Sequence, residues 1–441
     1  MTTAKNNEHK KLNFSNEQEQ SQACLNSAEH EKNQGRKVLN VPNLRFKEFQ
    51  GEWKEERLAD IADLYKGTGI SKEQLSDDGE PCILYGELYT KYKSETIREV
   101  ISKTNIDNTK LVRSKANDVI IPCSGETAED IAIARCVLNG NILLGGDLNI
   151  IRLHGYDGAF MSYQLNGRRK YDIAKVAQGV SVVHLYGEHL KGVKTFNPCL
   201  EEQKKIAGLL ALLDERIATQ NKIIDKLQSL IKGLEVNLLD NPLWEKTYLR
   251  SFMQFFPTNS LSWEQLSYKE GAIRNLHYGL IHGLQTRGIN SASLPMIKNE
   301  AIPKQYTLCQ VGDVAFADAS EDTGEIAKSV EFVDTIEGDT ICGLHTIHGR
   351  DIKNRTVVGF KGFAFNSCYF HNQIKRLAQG TKVFSITANN LSSCYVYLPD
   401  LEIQKAIVNL LKTYEAKLLV NKRLLEHYEK QKQYLLRQMF I

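Results

Sequence analysis

The segment that decides the fold begins with the run PCLEEQKKIAGLL at residues 198–210 and continues as one helical pattern to residue 241. From Ile206 onward, seam residues recur at alternating steps of four and three, and all but one of them are apolar. This is the a/d pattern of a helix that packs along its length against another helix. Prolines at positions 198 and 242 mark the helix boundaries. The seam residues are Ile206, Leu210, Leu213, Ile217, Gln220, Ile224, Leu227, Ile231, Leu234 and Leu238.

The partner helix lies in the same chain, where the run PDLEIQKAIVNLL occupies residues 399–411. At an offset of 201 positions, 13 of 34 residues are identical between 177–210 and 378–411, whereas unrelated sequences of ordinary composition would share about two. The second seam is Ile407, Leu411, Tyr414, Leu418, Asn421, Leu425, Tyr428, Lys432, Leu435 and Met439. Gln220 and Asn421 share one seam position, and a buried polar pair of this kind can fix register. The chain is therefore two copies of one unit, each a globular segment followed by a long helix.

The bulk composition describes an ordinary soluble protein. A chain of 441 residues with 42% apolar and 25% charged residues can form two or three domains, each with its own core. No window approaches 18 uncharged apolar residues, which predicts no membrane span, and the N-terminus is too polar for a secretory signal. The nine cysteines are scattered without a C-x-x-C pair, which argues against a disulfide framework or a zinc site and favours a reducing cytoplasm. The net charge of +3 permits a nucleic-acid partner without proving one.

Composition and the repeat divide the chain into five segments. Residues 1–42 are rich in Asn, Gln, Glu, Lys and Ser, and they predict a disordered tail. The other predicted segments are a globular domain at 43–198, a long helix at 199–242, a second globular domain at 243–398 and a second long helix at 399–441.

Within the first globular segment, short apolar runs separated by Gly and Asx clusters predict strands. These runs are 82–85, 118–121, 132–134 and 148–151, and a helix is expected around 164–178. Residues 117–119 and 130–132 correspond to 312–314 and 325–327 at an offset of 195, so loop lengths differ between the copies. Frameworks that agree while loops diverge are what two sites for different ligands would show.

No catalytic set emerges from the sequence. Gly67-Thr68-Gly69 lacks the third glycine of a dinucleotide loop, and the sequence has no P-loop, no G-x-S-x-G and no H-E-x-x-H. Residues 241–244 fall one proline short of the N-P-P-aromatic motif of amino-methyltransferases and stand where a helix must stop. His345, His348 and His371 could hold a metal, but a strand or loop gives that geometry no support, and solvent-facing or base-contacting histidines are the preferred interpretation.

Polar and aromatic loops remain, and they recur in both copies. Glycine allows close approach of the backbone to a ligand, Arg and Lys hold phosphates, and Gln, His, Ser and acidic groups can read base edges in the major groove. Any single residue could instead belong to a solvated loop, but recurrence in both copies favours DNA contact. The first-copy candidates are Lys66, Thr68, Lys72, Tyr85, Glu87, Tyr89, Ser124, Glu126, Thr127, Arg168, Arg169, Gln178 and His184. The second-copy candidates are Arg274, His277, Tyr278, His282, Ser320, His345, Gln379, Thr381 and Lys382.

The duplicated run Pro-x-Leu-Glu-x-Gln-Lys-x-Ile-x-x-Leu-Leu, preceded by Ala-Gln-Gly at 177–179 and 378–380, resembles the specificity subunit of type I restriction-modification systems. The resemblance covers about residues 42–441. Arg45-Phe46 with Trp53 adds a less specific match, and Trp263 is the expected counterpart of Trp53 in the second copy.

This resemblance implies an α+β fold in which two α/β target recognition domains are each followed by a long helix, the two helices forming an antiparallel intramolecular coiled coil. Each domain would read one half of a bipartite, asymmetric site on double-stranded DNA. A helix of about 38 residues is about 57 Å long, so readers at its ends could enter two major grooves about one DNA turn apart. The helices would thus act as a spacer.

The resemblance also implies partners. Two methyltransferase subunits would dock on the chain, carry S-adenosylmethionine and flip the target adenine, and restriction subunits would use ATP and Mg²⁺. This chain itself is expected to be no enzyme and to bind no cofactor or metal. Two alternatives come from other classes: a coiled-coil scaffold that does not bind DNA, and a fused type II-like methyltransferase or endonuclease fragment. The absence of a cofactor loop and of a nuclease carboxylate cluster speaks against the fused enzyme.

Overall fold

The two long helices predicted from the seam are confirmed. A computed structural model describes residues 39–107, 109–179, 182–284, 287–334, 336 and 338–441, and residues 1–38 of the predicted disordered tail lie outside it. The first long helix is Leu200–Leu239 and the second long helix is Leu401–Gln438. Along both, the predicted seam residues are buried or half-buried. None of the helices in the described part of the chain is long and apolar enough to cross a membrane.

The described residues form two compact units. Unit 1 contains the residues up to Arg216 together with Tyr428–Ile441, and unit 2 is Ile217–His427. Each long helix is therefore divided between the units, whereas the predicted segment bounds follow the order of elements along the chain. Those bounds stay a prediction.

The helices run antiparallel, as unit 2 shows by itself. The side-chain amide of Gln220 donates to Asn421 Oδ1 at 2.6 Å. Further along, Glu235 of the first long helix and Glu415 of the second both contact Arg287. The first helix thus advances from 220 to 235 while the second goes back from 421 to 415. The polar pair expected on the seam is therefore formed.

Unit 1 contains thirteen of the described strands and six short helices. The strands are β1 Lys54–Arg57, β2 Ala62–Lys66, β3 Leu75–Ser76, β4 Glu80–Ile83, β5 Thr96–Ile97, β6 Ser102–Thr104, β7 Asp118–Pro122, β8 Ser124–Gly125, β9 Arg135–Val137, β10 Leu143–Leu144, β11 Leu148–Leu153, β12 Val183–His184 and β13 Lys194–Asn197. The helices are α1 Leu58–Ile61, α2 Glu87–Thr90, α3 Ala128–Ile131, α4 Gly158–Asn166, α5 Lys170–Val176 and α6 Gly187–Lys191.

Unit 2 repeats this arrangement. Its strands are β14 Glu245–Tyr248, β15 Met253–Phe256, β16 Leu266–Ser267, β17 Arg274–Leu276, β18 Gly288–Ile289, β19 Met296–Ile297, β20 Val314–Ala317, β21 Ala319–Ser320, β22 Ser329–Phe332, β23 Thr340–Cys342, β24 Thr346–Asp351, β25 Phe384–Ser385 and β26 Tyr395–Leu398. Its short helices are α7 Tyr278–Gly283, α8 Phe360–Ala364, α9 Cys368–Leu377 and α10 Ala388–Ser393.

The two units share one sheet topology. A five-stranded sheet has the order β2-β11-β7-β9-β5 in unit 1 and β15-β24-β20-β22-β18 in unit 2. A four-stranded sheet has the order β10-β4-β6-β3 in unit 1, and β23-β17-β19-β16 is its equivalent in unit 2. In each unit a hydrophobic core joins the five-stranded sheet to the short helices that follow it. The internal duplication read from the sequence is thus present in the fold.

Three local predictions were wrong. Residues 132–134 are not a strand: helix α3 ends just before them and the strand is β9. The single helix expected at 164–178 is two helices, α4 and α5, because α4 stops at Gly167. The counterpart of Trp53 is Trp244, since each precedes the equivalent strand, β1 or β14, whereas Trp263 is 44% exposed at the start of a short 3-10 helix, Trp263–Gln265.

A buried glutamine fastens the first turn of each long helix to its globular domain. Gln203 Oε1 accepts the backbone N–H of Asp157 at 2.9 Å, and Gln203 Nε2 donates to the carbonyl oxygen of Pro198 at 2.8 Å. Gln404 repeats both bonds, to the N–H of Val357 at 3.0 Å and to the oxygen of Pro399 at 2.9 Å. The duplicated Leu-Glu-x-Gln run is therefore a structural joint.

Each unit also has an ion pair between its domain and the long helices. The domain residue is an acid in unit 1 and a base in unit 2. In unit 1, Lys432 contacts Glu95 of the domain and, at 2.6 Å, Asp214 of the first long helix. In unit 2, the domain residue is Arg287, which lies 2.6 Å from Glu235 and 3.7 Å from Glu415. Burial raises the pKa of Glu415 to about 7, against the lowering effect of Arg287.

Replacing Gln203 by methionine should destabilise unit 1. The change keeps the shape of the side chain but leaves a partly buried N–H and a buried carbonyl without partners, so the free energy of unfolding should fall by about 2–4 kcal/mol. Hydrogen exchange of the Asp157 amide and of α4, together with urea unfolding, measures the effect. Lys204→Met is the matched control, since Lys204 is exposed. A loss of stability no larger in Gln203→Met than in Lys204→Met would contradict the joint.

Candidate nucleic-acid interface

In unit 1, loops from separate parts of the chain meet beside β8. Strand β12 pairs with β8, which places His184 opposite Ser124. The hydroxyl of Tyr89 donates to the backbone oxygen of Ser124 at 2.9 Å, and burial raises the pKa of this phenol, so it remains a donor. A cavity of about 650 Å³ opens between these loops. Residues that line it include Tyr85, Tyr89, Ser124, Glu126, Asp130, Ile133 and Val182.

Both units form a similar loop at the sequence Ala-Gln-Gly, closed by an isolated β-bridge. We call it the bridged loop. The bridged pairs are Gln178 with His184 and Gln379 with Ser385. Gly179 and Gly380 have φ angles of +126° and +130°, and a Cβ at either position would lie about 2 Å from a carbonyl oxygen of the same loop. Because only glycine fits there, the duplicated motif has a local physical cause. In both loops the glutamine side chain, Gln178 or Gln379, is exposed.

In unit 2 the equivalent position holds a cluster of aromatic and imidazole rings. The ring of His277 lies 4.4 Å from that of Trp263 and 4.7 Å from that of Tyr278. His345 packs edge-on against Tyr278 with a centroid distance of 5.2 Å. His282 Nε2 lies 3.2 Å from the backbone oxygen of Ala319, which joins the cluster to β21.

His277 is buried and electrically neutral near neutral pH. Burial, together with the nearby His345, lowers its pKa to about 4. Its Nδ1 accepts the backbone N–H of Gly279 at 3.2 Å and so caps α7. The ring therefore orients α7, which carries Tyr278 and His282.

The two clusters occupy the same place in the two units. We call the first-copy set Tyr85, Tyr89, Ser124, Glu126, Gln178 and His184 the first loop surface. The second loop surface is His277, Tyr278, His282, Ser320, His345 and Gln379. Strands β8 and β21 are equivalent, and each pairs with its own bridged loop. The left-handed residues Asp147 and His345, with φ of +58° and +54°, stand before β11 and β24. The same scaffold thus presents different side chains.

Three of the sequence candidates serve the fold. Glu87 is buried, where it accepts from the backbone N–H of Leu84 at 3.0 Å and pairs with Lys91 at 2.7 Å. Arg168 and Arg169 donate to backbone oxygens of Arg437 and Ile441 at 2.8 Å. Arg437 lies in the last turn of the second long helix, where a cationic donor such as Arg168 stabilises the helix end, whereas Ile441 lies three residues beyond that helix. We therefore do not include these three residues in the proposed interface.

The remaining first-copy candidates lie outside the first loop surface. Lys66 and Lys72 are exposed, and Lys66 Nζ lies 3.9 Å from a carboxylate oxygen of Asp147. The Thr68 hydroxyl accepts a backbone N–H at 3.1 Å, and Thr127 caps α3.

Of the remaining second-copy candidates, Arg274 donates to the backbone oxygens of Ala292 and Leu294 at 3.0 and 3.2 Å. Thr381 and Lys382 are exposed on the bridged loop beside Gln379. The guanidinium of Arg274 is thus engaged with the fold, whereas the other two side chains extend the second loop surface.

The histidines considered as a metal set do not converge. His345 Nδ1 lies 3.0 Å from Asp318, His348 Nε2 lies 2.7 Å from Asp313, and His371 Nε2 lies 2.9 Å from a backbone oxygen. In the described part of the chain these three do not form a group of ligand atoms. That alternative was wrong.

Several residues of the two surfaces were missed in the sequence. The Trp263 ring packs at a tilt against His277, and Asp318 orients His345. Val182 and Ile133 line the unit 1 cavity. None belongs to a motif, because each reaches its position through strand pairing between distant segments. The signal that could have found Asp318 is its place directly after the strand that follows the Gly-Asp-Val run.

Comparison with known proteins agrees with this architecture. Residues 50–229 and 340–429, more than half of the chain, match the family described as type I restriction modification DNA specificity domain. The chain belongs to the family of type I specificity subunits. The resemblance stated from the duplicated motif is thereby confirmed.

Two specificity subunits of Methanocaldococcus jannaschii are similar over nearly their whole length. The MjaVIII type I restriction enzyme specificity subunit is 25% identical over 411 residues, covering 88% of this chain and 93% of that protein. The putative MjaX specificity subunit is 24% identical over 437 residues, covering 90% and 94%.

Solved structures show the same fold. The S subunit of a type I restriction-modification system from M. genitalium has a TM-score of 0.58 at 16% identity and covers 91% of this chain and 99% of its own. A chain from a study of complex assembly and conformational transition of the type I R-M system has a TM-score of 0.51 at 14% identity, covering 88% and 97%. The predicted fold class of two domains with long helices is confirmed.

Acidification should loosen the second loop surface of this specificity subunit. His277 has a pKa of about 4 in the fold, below the ordinary value of 6.5, so the folded state binds fewer protons than the unfolded state. Stability of this region is then present above pH 6.5 and is lost as the pH falls toward 4. NMR titration of the His277 ring, with hydrogen exchange of α7, measures the effect.

The matched variant is His277→Asn, which keeps an acceptor for the Gly279 N–H but does not titrate. In this variant, α7 should lose the part of its pH dependence that lies between about 4 and 6.5. An imidazole that titrates near 6.5 in the wild-type protein would overturn the assignment of a buried neutral ring.

Proposed function

We propose that this specificity subunit reads a bipartite DNA site, one half through each loop surface. The observation that carries the proposal is the repetition of one scaffold with two different sets of side chains. Both surfaces combine an aromatic ring, an imidazole and an exposed glutamine, and in both a glycine of the bridged loop would allow the backbone to approach a ligand closely. These are groups that can read base edges in the major groove.

The chemistry of the surfaces differs in a way that suits two half-sites. The first surface contains Glu126, which can accept a hydrogen bond from the amino group of cytosine, and the tyrosines Tyr85 and Tyr89. The second surface is richer in imidazoles, with Gln379 as a candidate for a bidentate pair with adenine and Lys382 for phosphate. An asymmetric site follows from this difference.

We infer that the two long helices set the distance between the half-sites. Support comes from their length, their antiparallel packing and the pair between Gln220 and Asn421. A polar pair within an apolar seam disfavours slippage of one helix along the other. On this proposal the target recognition domains are residues 43–198 and 243–398, joined by spacer helices at 199–242 and 399–441.

We also propose that the chain is the non-catalytic part of a larger cytoplasmic assembly. Two methyltransferase subunits would dock on it and supply S-adenosylmethionine, and restriction subunits would supply the site for ATP and Mg²⁺. Membership in the type I specificity family supports this division of labour.

Gln379→Ala with Lys382→Ala should weaken recognition of one half-site only. Loss of a bidentate amide–adenine pair costs about 1–3 kcal/mol, or about 5- to 150-fold in binding. The measurement is co-expression with a cognate methyltransferase subunit in cells that lack other adenine methylases, followed by genome-wide mapping of N6-methyladenine. The matched control, Gln178→Ala with His184→Ala, should affect the other half of the motif.

Equal loss in both halves would assign these loops to the fold or to a subunit interface. Methylation by the chain without its partner would show that it is an enzyme. Binding of the purified complex to its mapped site should weaken steeply with salt, because phosphate contacts release counterions. Binding that does not respond to salt would favour the scaffold alternative.

Lengthening the helices should change the gap between the half-sites. Insertion of one heptad after Gln220 and a matching heptad after Asn421 adds about 10 Å, which is about three base pairs at 3.4 Å each. The mapped half-site sequences should stay the same while the gap grows. An unchanged gap in a folded, active variant would contradict the spacer role, and insertion of a heptad in one helix alone serves as the mismatched control.

A further inference from the structure

The second domain contains a buried group of metal-binding side chains that no motif announced. Cys309, Cys342 and His348 are all buried, and their ligand atoms lie within 4.8 Å of one another. Cys342 ends β23, His348 lies within β24, and the backbone N–H of Cys309 bonds to Thr340 of β23 at 2.8 Å. The backbone bridge beside Cys309 thus brings this residue to the end of β23, and the short connection from β23 to β24 supplies His348.

We propose that these three residues bind a zinc ion. The two sulfur atoms are 3.6 Å apart. Two thiolates that share a tetrahedral zinc with bonds of about 2.3 Å lie about 3.8 Å apart, whereas a disulfide requires about 2.05 Å. Two thiolates with one neutral imidazole balance the charge of Zn²⁺, so the buried site carries no net charge, and soft sulfur ligands favour zinc over Mg²⁺ or Ca²⁺.

The surroundings hold the imidazole as metal sites usually do. His348 Nε2 lies 2.7 Å from Asp313 Oδ2, and Arg350 in turn pairs with Asp313 at 2.7 Å. On this proposal Nδ1 of His348 binds the metal and Nε2 faces the carboxylate. A carboxylate that orients the other ring nitrogen is the common support of a zinc-bound histidine. The Phe256 ring packs against His348 at 5.1 Å. A cavity of about 380 Å³ reaches Cys342 and gives an ion and its remaining water ligand a route from solvent.

The equivalent positions of the first domain show that the scaffold does not need this set. By strand register, Cys342 corresponds to Leu144 and His348 to Ile150, both of them buried core residues. Cys309 corresponds to Ser114, which makes the equivalent backbone bond to Ile142 at 2.8 Å. The supporting pair of Asp313 with Arg350 is kept as Asp118 with Arg152. At these matched positions the three proposed ligands differ between the domains, whereas the supporting pair is the same.

The position of the site suggests what the ion does. Cys342 is the register partner of Leu276 in β17, and β17 leads directly into His277 and α7, which carry part of the second loop surface. An ion that ties β23 to β24 therefore supports the strand from which this part of the surface starts. This role departs from the expectation, drawn from the scattered cysteines, that the chain has no zinc site.

The test uses the full chain, purified under reductant without added metal. It is stripped with a chelator and then titrated with Zn²⁺. We expect about one equivalent to bind, a rise in the melting temperature, and, with Co²⁺ as the probe, the absorption bands of a tetrahedral cobalt–thiolate centre. The triple variant Cys309→Ser, Cys342→Leu, His348→Ile copies the first domain. It should fold, lose the cobalt bands and bind Zn²⁺ at least about tenfold more weakly.

Controls separate this site from surface thiols and from oxidation. Cys199→Ser with Cys368→Ser removes two exposed cysteines and should leave Zn²⁺ binding unchanged. Should the triple variant fail to fold, Cys309→Ser alone replaces one ligand with an atom of similar size and should still weaken binding. Unchanged binding in the Cys309 variant, no binding by the stripped wild-type chain, or a Cys309–Cys342 disulfide in protein kept under reductant would each overturn the proposal.

Discussion

A single buried amide at the start of each long helix is the contact on which both units depend. Gln203 and Gln404 each satisfy a backbone N–H of the domain and a carbonyl at the helix start. The N–H is partly buried and the carbonyl is buried, so loss of the amide would leave both without a protein partner at a cost in free energy. The direction in which the helix leaves the domain is set there. The sheets, the helix pair and the loop surfaces all take their orientation within a unit from this joint.

Much of the architecture could be predicted because its signals run along the chain. A heptad seam repeats every few residues, and the duplicated motif makes local bonds that recur wherever the motif recurs. The pair of Gln220 and Asn421 was visible for the same reason, since both occupy one seam position. The bridged loops were also within reach, because their glycines are required by a backbone conformation that no other residue fits.

What could not be predicted depends on contacts between distant segments. The exposed Trp263 and the half-buried Trp244 are told apart only by strand register. The sequence around Glu87 or Arg169 resembles that of any polar loop. In the fold, however, Glu87 is buried and accepts a backbone N–H, and Arg169 donates to the backbone of Ile441. Cys309 lies 33 residues before Cys342 and approaches Cys342 and His348 only because its backbone bonds to β23, so the group has no motif spacing. Loop chemistry is therefore harder to predict than helical packing.

The reversed charges beside the helices bear on how such a chain can evolve. Glu95 and Arg287 occupy equivalent places in their domains, but one meets a lysine of the helices and the other meets two glutamates. A recombination event that moved the second domain into the first position would set a guanidinium beside Lys432, and the reciprocal move would set Glu95 beside Glu235 and Glu415 in place of Arg287. Only a domain that carries the same charge at this place preserves the match. The two domains of this chain are therefore each fitted to their own position and are not interchangeable, although they share one fold.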